Sequence, residues 1–268
     1  MAFFSSKNNL PSEYYDLHCH ILPGMDDGSP DVETSLAMLR EMQMQGCRGL
    51  VATSHYYREE SIESFLARRS EAFTAFREAV KQELPYFSDR IGLGAEVAYY
   101  QGISSDPDLT RLCFQNPAAS KSSTPGTRAD KSGMSSYILI EMPFRQWTPS
   151  VIRELRTLVN VRHLKVIIAH LERFFEYTSG ESIEELLELD VIVQMNAGCL
   201  LRRPTRKRGI RMVKEGLTQV LGTDSHNVDT RRPNMADGLL VLEKNRLGED
   251  ARQILRFNRE IFETVMSR

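Results

Sequence analysis

The positions of the histidines constrain this chain more than any other feature. Short β-rich apolar runs alternate with longer helical patterns along most of its length, the signature of β/α units around a parallel sheet. Five of the six histidines fall where those runs should end, in Asp16-Leu-His-Cys-His20, Thr53-Ser-His55, Ile168-Ala-His170 and Gly222-Thr-Asp-Ser-His226. Carboxylates close two more runs, at Glu96 and Glu141, and only His163 lies elsewhere. Carboxyl-terminal strand ends are where β/α barrels keep their chemistry.

Side chains in a strand alternate between faces, so His18 and His20 point the same way, as do Asp224 and His226. One pair lies near the start of the chain and the other near its end, and they can meet only if the sheet closes or strongly curves. A chain of 268 residues suits a single β/α barrel domain. Seven strands are expected, over 14–19, 48–54, 91–97, 137–142, 164–169, 191–196 and 219–223. Leu36, Met38, Leu39 and Met42 at near-helical spacing, after Pro30 and before Gly46, predict a helix between the first two. Helices are also predicted over 61–83, 149–160, 182–187, 206–215 and 250–266. Residues 1–13 read as an N-terminal extension. Residues 104–136, poor in apolar side chains through Pro117 to Gly126, read as a mobile insertion within the domain.

Lys plus Arg (34) nearly balance Asp plus Glu (36), so no global field draws the protein to nucleic acid or an anionic membrane. No apolar run is long enough to span a membrane and the N-terminus lacks a signal-peptide pattern, so a cytoplasmic location is expected. Cys19, Cys47, Cys113 and Cys199 are widely spaced and expected to be buried thiols. None has an arginine six positions later, which excludes the cysteine-based tyrosine-phosphatase loop.

Neutral imidazole with carboxylate is a ligand set for divalent first-row metals. Any one of these residues alone could be a hydrogen-bonded buried polar group; their recurrence at strand end after strand end points to ligation. Asp26-Asp27-Gly28 is a turn by composition, with an Asx turn or helix cap as its plain reading.

The stretch Asp16-Leu-His-Cys-His-Ile-Leu-Pro-Gly-Met-Asp-Asp-Gly28 resembles the opening motif of the bacterial manganese-dependent protein-tyrosine phosphatases of the polymerase-and-histidinol-phosphatase (PHP) superfamily, enzymes associated with capsule and exopolysaccharide production. The resemblance runs to Pro233, through Thr53-Ser-His-Tyr56, Ala95-Glu96, Ile140-Glu-Met142, Ile168-Ala-His-Leu-Glu-Arg173, Gln194-Met-Asn-Ala-Gly198, Thr223-Asp-Ser-His-Asn227 and Arg231-Arg-Pro233. Ser54 and Leu171 depart from it, standing where the family generally has proline.

The resemblance implies a PHP-like α/β fold, a distorted seven-stranded β/α barrel, with three divalent metal ions, manganese first and iron or zinc as alternatives. His18, His20, Glu96 and Asp224 would hold one; Glu96, Glu141 and His170 a second; Asp27, His55 and His226 the third. It also implies phosphate-binding roles for Arg173 and Arg231, which without it would read as surface arginines. The implied substrate is a phosphotyrosine protein, in particular a bacterial tyrosine kinase with a tyrosine-rich tail.

Other readings stand beside this one. A related phosphoesterase acting on a small monoester such as histidinol phosphate is the nearest. Amidohydrolases share His-x-His, but Glu141 stands where their bridging lysine usually falls. A catalytically idle metal-binding partner of a kinase is a third. The basic run Arg202-Arg-Pro-Thr-Arg-Lys-Arg208 is either a solvated helix face or a docking surface for an acidic, phosphorylated tail. One member of each pair Tyr14/Tyr15, Tyr56/Tyr57 and Tyr99/Tyr100 should be core, leaving the other free to line a cleft.

Overall fold

Among the described residues, helices fill most of the longer connections between strands, and the pairings between strands are parallel. The computed structural model describes residues 13–119 and 136–267. Within them the seven expected strands appear as nine: β1 (Tyr14–Cys19), β2 (Cys47–Ala52), β3 (His55–Tyr56), β4 (Ile91–Leu93), β5 (Glu96–Ala98), β6 (Tyr137–Glu141), β7 (Lys165–Ile168), β8 (Ile192–Asn196) and β9 (Val220–Gly222). Two expected strands each break at a bend, β2 from β3 at Thr53-Ser54 and β4 from β5 at Gly94-Ala95. Neighbouring segments stay bonded across the bends, with Gly94 N donating to Ala52 O (2.9 Å) and Glu96 N to Thr53 O (3.2 Å).

One sheet has the order β1-β2-β4 and the other β3-β5-β6-β7-β8-β9. They approach again at the far side, where Asp224 N donates to His18 O (2.8 Å) and His20 N to Ser225 O (2.9 Å). Leu17, Val51, Leu139, Ile167, Ile192 and Val220, contributed by strands of both sheets, meet in one apolar cluster, so the parallel sheet curls around a shared interior. The expected helices form as α1 (Val32–Met44), α2 (Ile62–Glu83), α3 (Pro149–Asn160), α4 (Gly180–Leu187), α5 (Arg203–Lys214) and α7 (Gly248–Met266). Ser61 caps α2 through Ser64 N and Asp31 caps α1 through Thr34 N.

The spacing gave no sign of α6 (Met235–Lys244). Gly238 and the run Leu239-Leu-Val-Leu242 blur its helical period. Its glycine is required by packing, because a Cβ there would stand 3.0 Å from that of Ala197. Residues 104–119 are not a bare loop. Leu109 and Leu112 are buried in short 3-10 turns, and Gln115 pairs with Leu93. The rest of the expected insertion, 120–135, and the extension over 1–12 lie outside the described residues. No helix among the described residues is long and apolar enough to cross a membrane, and Cys19, Cys47 and Cys199 are buried thiols.

α7 covers the interior with Ile261, Phe262 and Val265, and its Asn258 stitches the closure. This fully buried side chain donates to Tyr15 O (2.9 Å) and Leu221 O (2.6 Å) and accepts from Leu221 N (3.3 Å), joining β1 to β9. Truncation would leave buried backbone groups without partners. Asn258→Ala is expected to cost roughly 2–4 kcal/mol in urea unfolding; a loss below about 0.5 kcal/mol, the size of an ordinary surface change, would contradict this role.

Candidate metal centre

The end of the curled sheet where the strands terminate gathers all nine residues to which the resemblance assigned ligand roles. His18 is in β1 and His20 just beyond it, His55 begins β3, Glu96 begins β5 and Glu141 ends β6. His170, Asp224 and His226 follow β7 and β9 directly, and Asp27 comes from the turn after β1. Ser54 and Leu171 are both buried, and the histidines beside them still reach the cluster. His163 stands away from it on an exposed left-handed turn.

Three overlapping groups bring ligand atoms together: His18, His20, Glu96 and Asp224; His55, Glu96 and Glu141; and His20, Asp27, His55 and His226. Glu96 Oε2 lies 3.1 Å from His18 Nε2, 3.1 Å from His20 Nε2 and 3.2 Å from His55 Nδ1. Its other oxygen lies 2.8 Å from His170 Nε2, which is 3.3 Å from Glu141 Oε1. Asp224 Oδ1 is 3.6 and 3.4 Å from the same His18 and His20 nitrogens. Asp27 Oδ1 is 3.3 Å from His226 Nε2 and 3.6 Å from His55 Nε2.

Two ligand atoms about 2.1 Å from a shared cation, at angles between octahedral and tetrahedral, stand about 3.0–3.4 Å apart. The cluster is built on that spacing. Its interior atoms lack other uses: Glu96 Oε2 and His226 Nε2 are buried and make no hydrogen bond. Buried polar atoms left so are costly, and a shared cation would satisfy them. Hard carboxylates mixed with imidazoles fit a divalent first-row metal.

The charge balance leads to the same conclusion. Burial would push the Glu96 and Asp224 carboxyls up, but the surrounding imidazoles, His18 foremost, hold both well below the usual carboxylate range. Burial pulls His20 and His170 down, and their carboxylate hydrogen bonds more than reverse this. His20 ends well above its ordinary value, and His170 at about 9. Burial lowers His55, and burial with the His20 charge pushes His226 down to about 4. The pocket's negative field thus recruits protons where metal ions would compete for the same atoms.

Residues not singled out for roles in the sequence orient the ligands. Asp26 Oδ2 accepts from His20 Nδ1 (2.8 Å) and from His55 N (2.8 Å). Gln194 Oε1 contacts His18 Nδ1 (3.1 Å) and accepts from His170 N (2.6 Å). Gln194 Nε2 donates to Asn196 Oδ1 (2.8 Å), and Asn196 Nδ2 to Asp224 Oδ2 (2.7 Å). Gln194 Oε1 and Asp26 Oδ2 can only accept, so they keep a proton on Nδ1 of His18 and His20 and turn Nε2 inward, the usual task of groups behind a ligand. Buried Asp16 accepts from Thr223 N (3.1 Å) and Thr223 Oγ1 (2.5 Å), fixing the loop that carries Asp224. A carboxylate two residues before the His-x-His, and amides at the end of a strand, were the available signals.

The backbone is forced at two of the nine positions. His170 (φ 30°) and Asp224 (φ 51°) are left-handed non-glycine residues, a conformation that persists only where surrounding structure holds it. Gly28 and Gly222 permit close approach, since a Cβ would meet His20 O at 2.4 Å and the His18 Cβ at 2.8 Å respectively.

Arg173 and Arg231 stand at the edge of this cluster. Arg173 Nη2 donates to Asp224 Oδ2, and Arg231 Nη2 to Asp224 Oδ1 (2.9 Å) with Nη1 to Asp27 Oδ2 (3.2 Å). Both line a cavity of about 420 Å³ that also includes Asp224. The basic run starts α5, and two of its arginines, Arg202 and Arg208, reach the same cavity. Arg208 is tied to Glu172 O (2.8 Å) and Glu176 (2.9 Å), and Arg206 to Leu200 O (2.8 Å). Of the tyrosine pairs, Tyr56/Tyr57 divides most sharply: Tyr56 is buried, while Tyr57 is exposed and stacks on His55 at 5.3 Å. Tyr14 and Tyr15 are both buried, and Tyr99 and Tyr100 both pack partly against the core.

Known proteins share this arrangement of sequence and fold. The tyrosine-protein phosphatase YwqE of Bacillus subtilis is 29% identical over 250 residues, covering 92% of this chain and 90% of its own length. The tyrosine-protein phosphatase CpsB of Streptococcus pneumoniae is 28% identical over 251 residues, covering 89% and 93%. A crystal structure from work on these two proteins, described as unique metal-dependent tyrosine phosphatases, matches with a TM-score of 0.72 and 25% identity over 94% of each chain. The family model for capsular polysaccharide synthesis, CpsB/CapC, matches residues 14–116 and 125–262, spans that contain all nine clustered residues and both arginines. This chain belongs to the CpsB/CapC capsular polysaccharide synthesis family.

Proposed function

We propose that the protein is a metal-dependent protein-tyrosine phosphatase. The observation that carries this is the cluster of nine imidazole and carboxylate groups, eight in three overlapping groups at ligand spacing and His170 against Glu96 and Glu141, with two arginines at its open edge. His18, His20, Glu96 and Asp224 hold one divalent cation, Glu96, Glu141 and His170 a second, and Asp27, His55 and His226 a third, with manganese the expected metal. The fold counts as a distorted seven-stranded barrel when β2 with β3, and β4 with β5, are each taken as one bent strand. The bonds across those bends support that count.

When bound, the metal ions supply Lewis acidity and a water nucleophile at neutral pH for displacement at phosphorus. The chain does the rest. Asp26 and Gln194 keep the ligand imidazoles turned inward. Arg173 and Arg231 bind the phosphoryl oxygens, and each guanidinium offers a planar fork to two of them. Burial disfavours the charged form of Arg173, but Asp224 more than offsets it, so its charge is held in place for the substrate. The substrate is a phosphotyrosine protein, and the capsule-synthesis description of the family suggests a tyrosine kinase controlling polysaccharide export or assembly. Such a kinase draws on ATP, which makes the cytoplasm the expected location.

Manganese-loaded protein is expected to hydrolyse phosphotyrosine peptides much faster than phosphoserine peptides. Turnover of histidinol phosphate orders of magnitude faster than any phosphotyrosine peptide would overturn the substrate assignment. Glu96→Gln should lose at least two metal ions per chain, since both of its oxygens face different imidazoles. Full occupancy by elemental mass spectrometry would remove Glu96 from a bridging role. Arg173→Ala should keep its metal and lose on the order of a hundredfold in kcat/KM, the scale of one preorganised donor to transition-state charge. Lysine should restore only part of this, and normal kinetics in the alanine variant would make Arg173 an ordinary surface residue.

A further inference from the structure

Two aromatic side chains on the cavity wall have no task in the metal centre. Phe144 and Tyr177 are 45% and 47% exposed and line the same cavity as Arg173 and Arg231. Their rings meet edge to face at 5.2 Å. Single exposed apolar residues are ordinary, but contiguous apolar surface marks a binding site. Here the surface adjoins a floor of charged groups.

The two rings are held in place. Phe144 lies three residues after Glu141 and stacks against His170 (6.3 Å, 22° between planes) and Phe174 (4.8 Å). Buried Trp147 packs behind Phe174, donates its indole N–H to Pro143 O (3.0 Å), and donates its backbone N–H to Thr178 Oγ1 (3.1 Å). That bond joins the loop carrying Phe144 to the one carrying Tyr177. Exposed aromatic edges therefore sit on a fixed base beside the phosphate-binding arginines.

We infer that Phe144 and Tyr177 form the slot for the phenyl ring of the substrate phosphotyrosine, and that they set the preference for an aryl over an alkyl phosphate. The inference rests on the phosphatase reading above and names the part of the substrate that these residues select. A phosphoryl group between Arg173 and Arg231 places the attached ring along this wall, where it covers apolar surface now open to water and gains offset or edge-to-face contacts. A seryl phosphate brings no ring to fill the slot.

The test compares kcat/KM of manganese-loaded wild type, Phe144→Ala, Tyr177→Ala, the double variant and Phe144→Tyr on a phosphotyrosine peptide and on acetyl phosphate, which has a good leaving group and no ring. Each alanine should lower the peptide-to-acetyl-phosphate ratio roughly 3- to 10-fold, the range of a single aromatic pair. The loss should fall on KM, because ring binding acts alike on ground and transition states. Phe144→Tyr should keep the wild-type ratio. A merely structural role, acting through His170, would lower metal content and both substrates by the same factor, and so would overturn the inference. So would a ratio moved by Tyr57→Ala but not by either slot variant. Wild type inactive on both substrates would sink the phosphatase reading itself, whereas an active wild type with an unmoved ratio sinks this inference alone.

Discussion

The structure depends on the crowding of buried carboxylates against imidazoles at one end of the curled sheet. Glu96, fully buried, faces four of the five clustered histidines. Charges in that position are expensive unless each is matched. The protein alone matches them only in part, by protonating His20 and His170 and leaving atoms such as Glu96 Oε2 without a hydrogen bond. Cations at the ligand spacing would complete the balance. Other features follow from holding this cluster: left-handed backbone at His170 and Asp224, the glycines that let chains approach His18 and His20, and the relay from His18 through Gln194 and Asn196 to Asp224.

Closure of the sheet is the second requirement, because the ligands come from both ends of the chain. Asp16, within β1, and Asn258, from α7, supply it. Asp16 binds the loop after β9, and Asn258 reaches from α7 to the backbone of both strands. Burial raises the Asp16 carboxyl to about 6 even with its hydrogen bonds to Thr223, a measure of how dry this joint is. Two polar side chains thus hold together an interior that is otherwise largely apolar.

Much of this was legible in the residues. The short apolar runs and helical patterns located each main strand and six of the seven α-helices among the described residues, because local patterning and the final packing agree there. Same-face alternation correctly brought His18 to His20, whose Nε2 atoms are 3.3 Å apart. The bends at Thr53-Ser54 and Gly94-Ala95 were hidden, since they arise from the curvature of the whole sheet. α6 was hidden by its glycine and leucine-rich run. Asp26, Gln194 and Asn196 carried no metal-ligand signature, and their roles emerge only when the ligands' outer nitrogens are in view. Phe144 and Tyr177 are far apart in sequence and meet because the loops after β6 and β7 are tied by Trp147 and Thr178.

The central claim is that the cluster is a trinuclear metal centre required for phosphate-ester hydrolysis. Elemental mass spectrometry on protein reconstituted with manganese and freed of excess ion, read alongside phosphotyrosine-peptide turnover before and after chelation, tests it most directly. The account predicts about three ions per chain, by its three proposed ligand sets, with turnover lost on stripping and regained on reloading. Protein that stays active with no bound metal would contradict it.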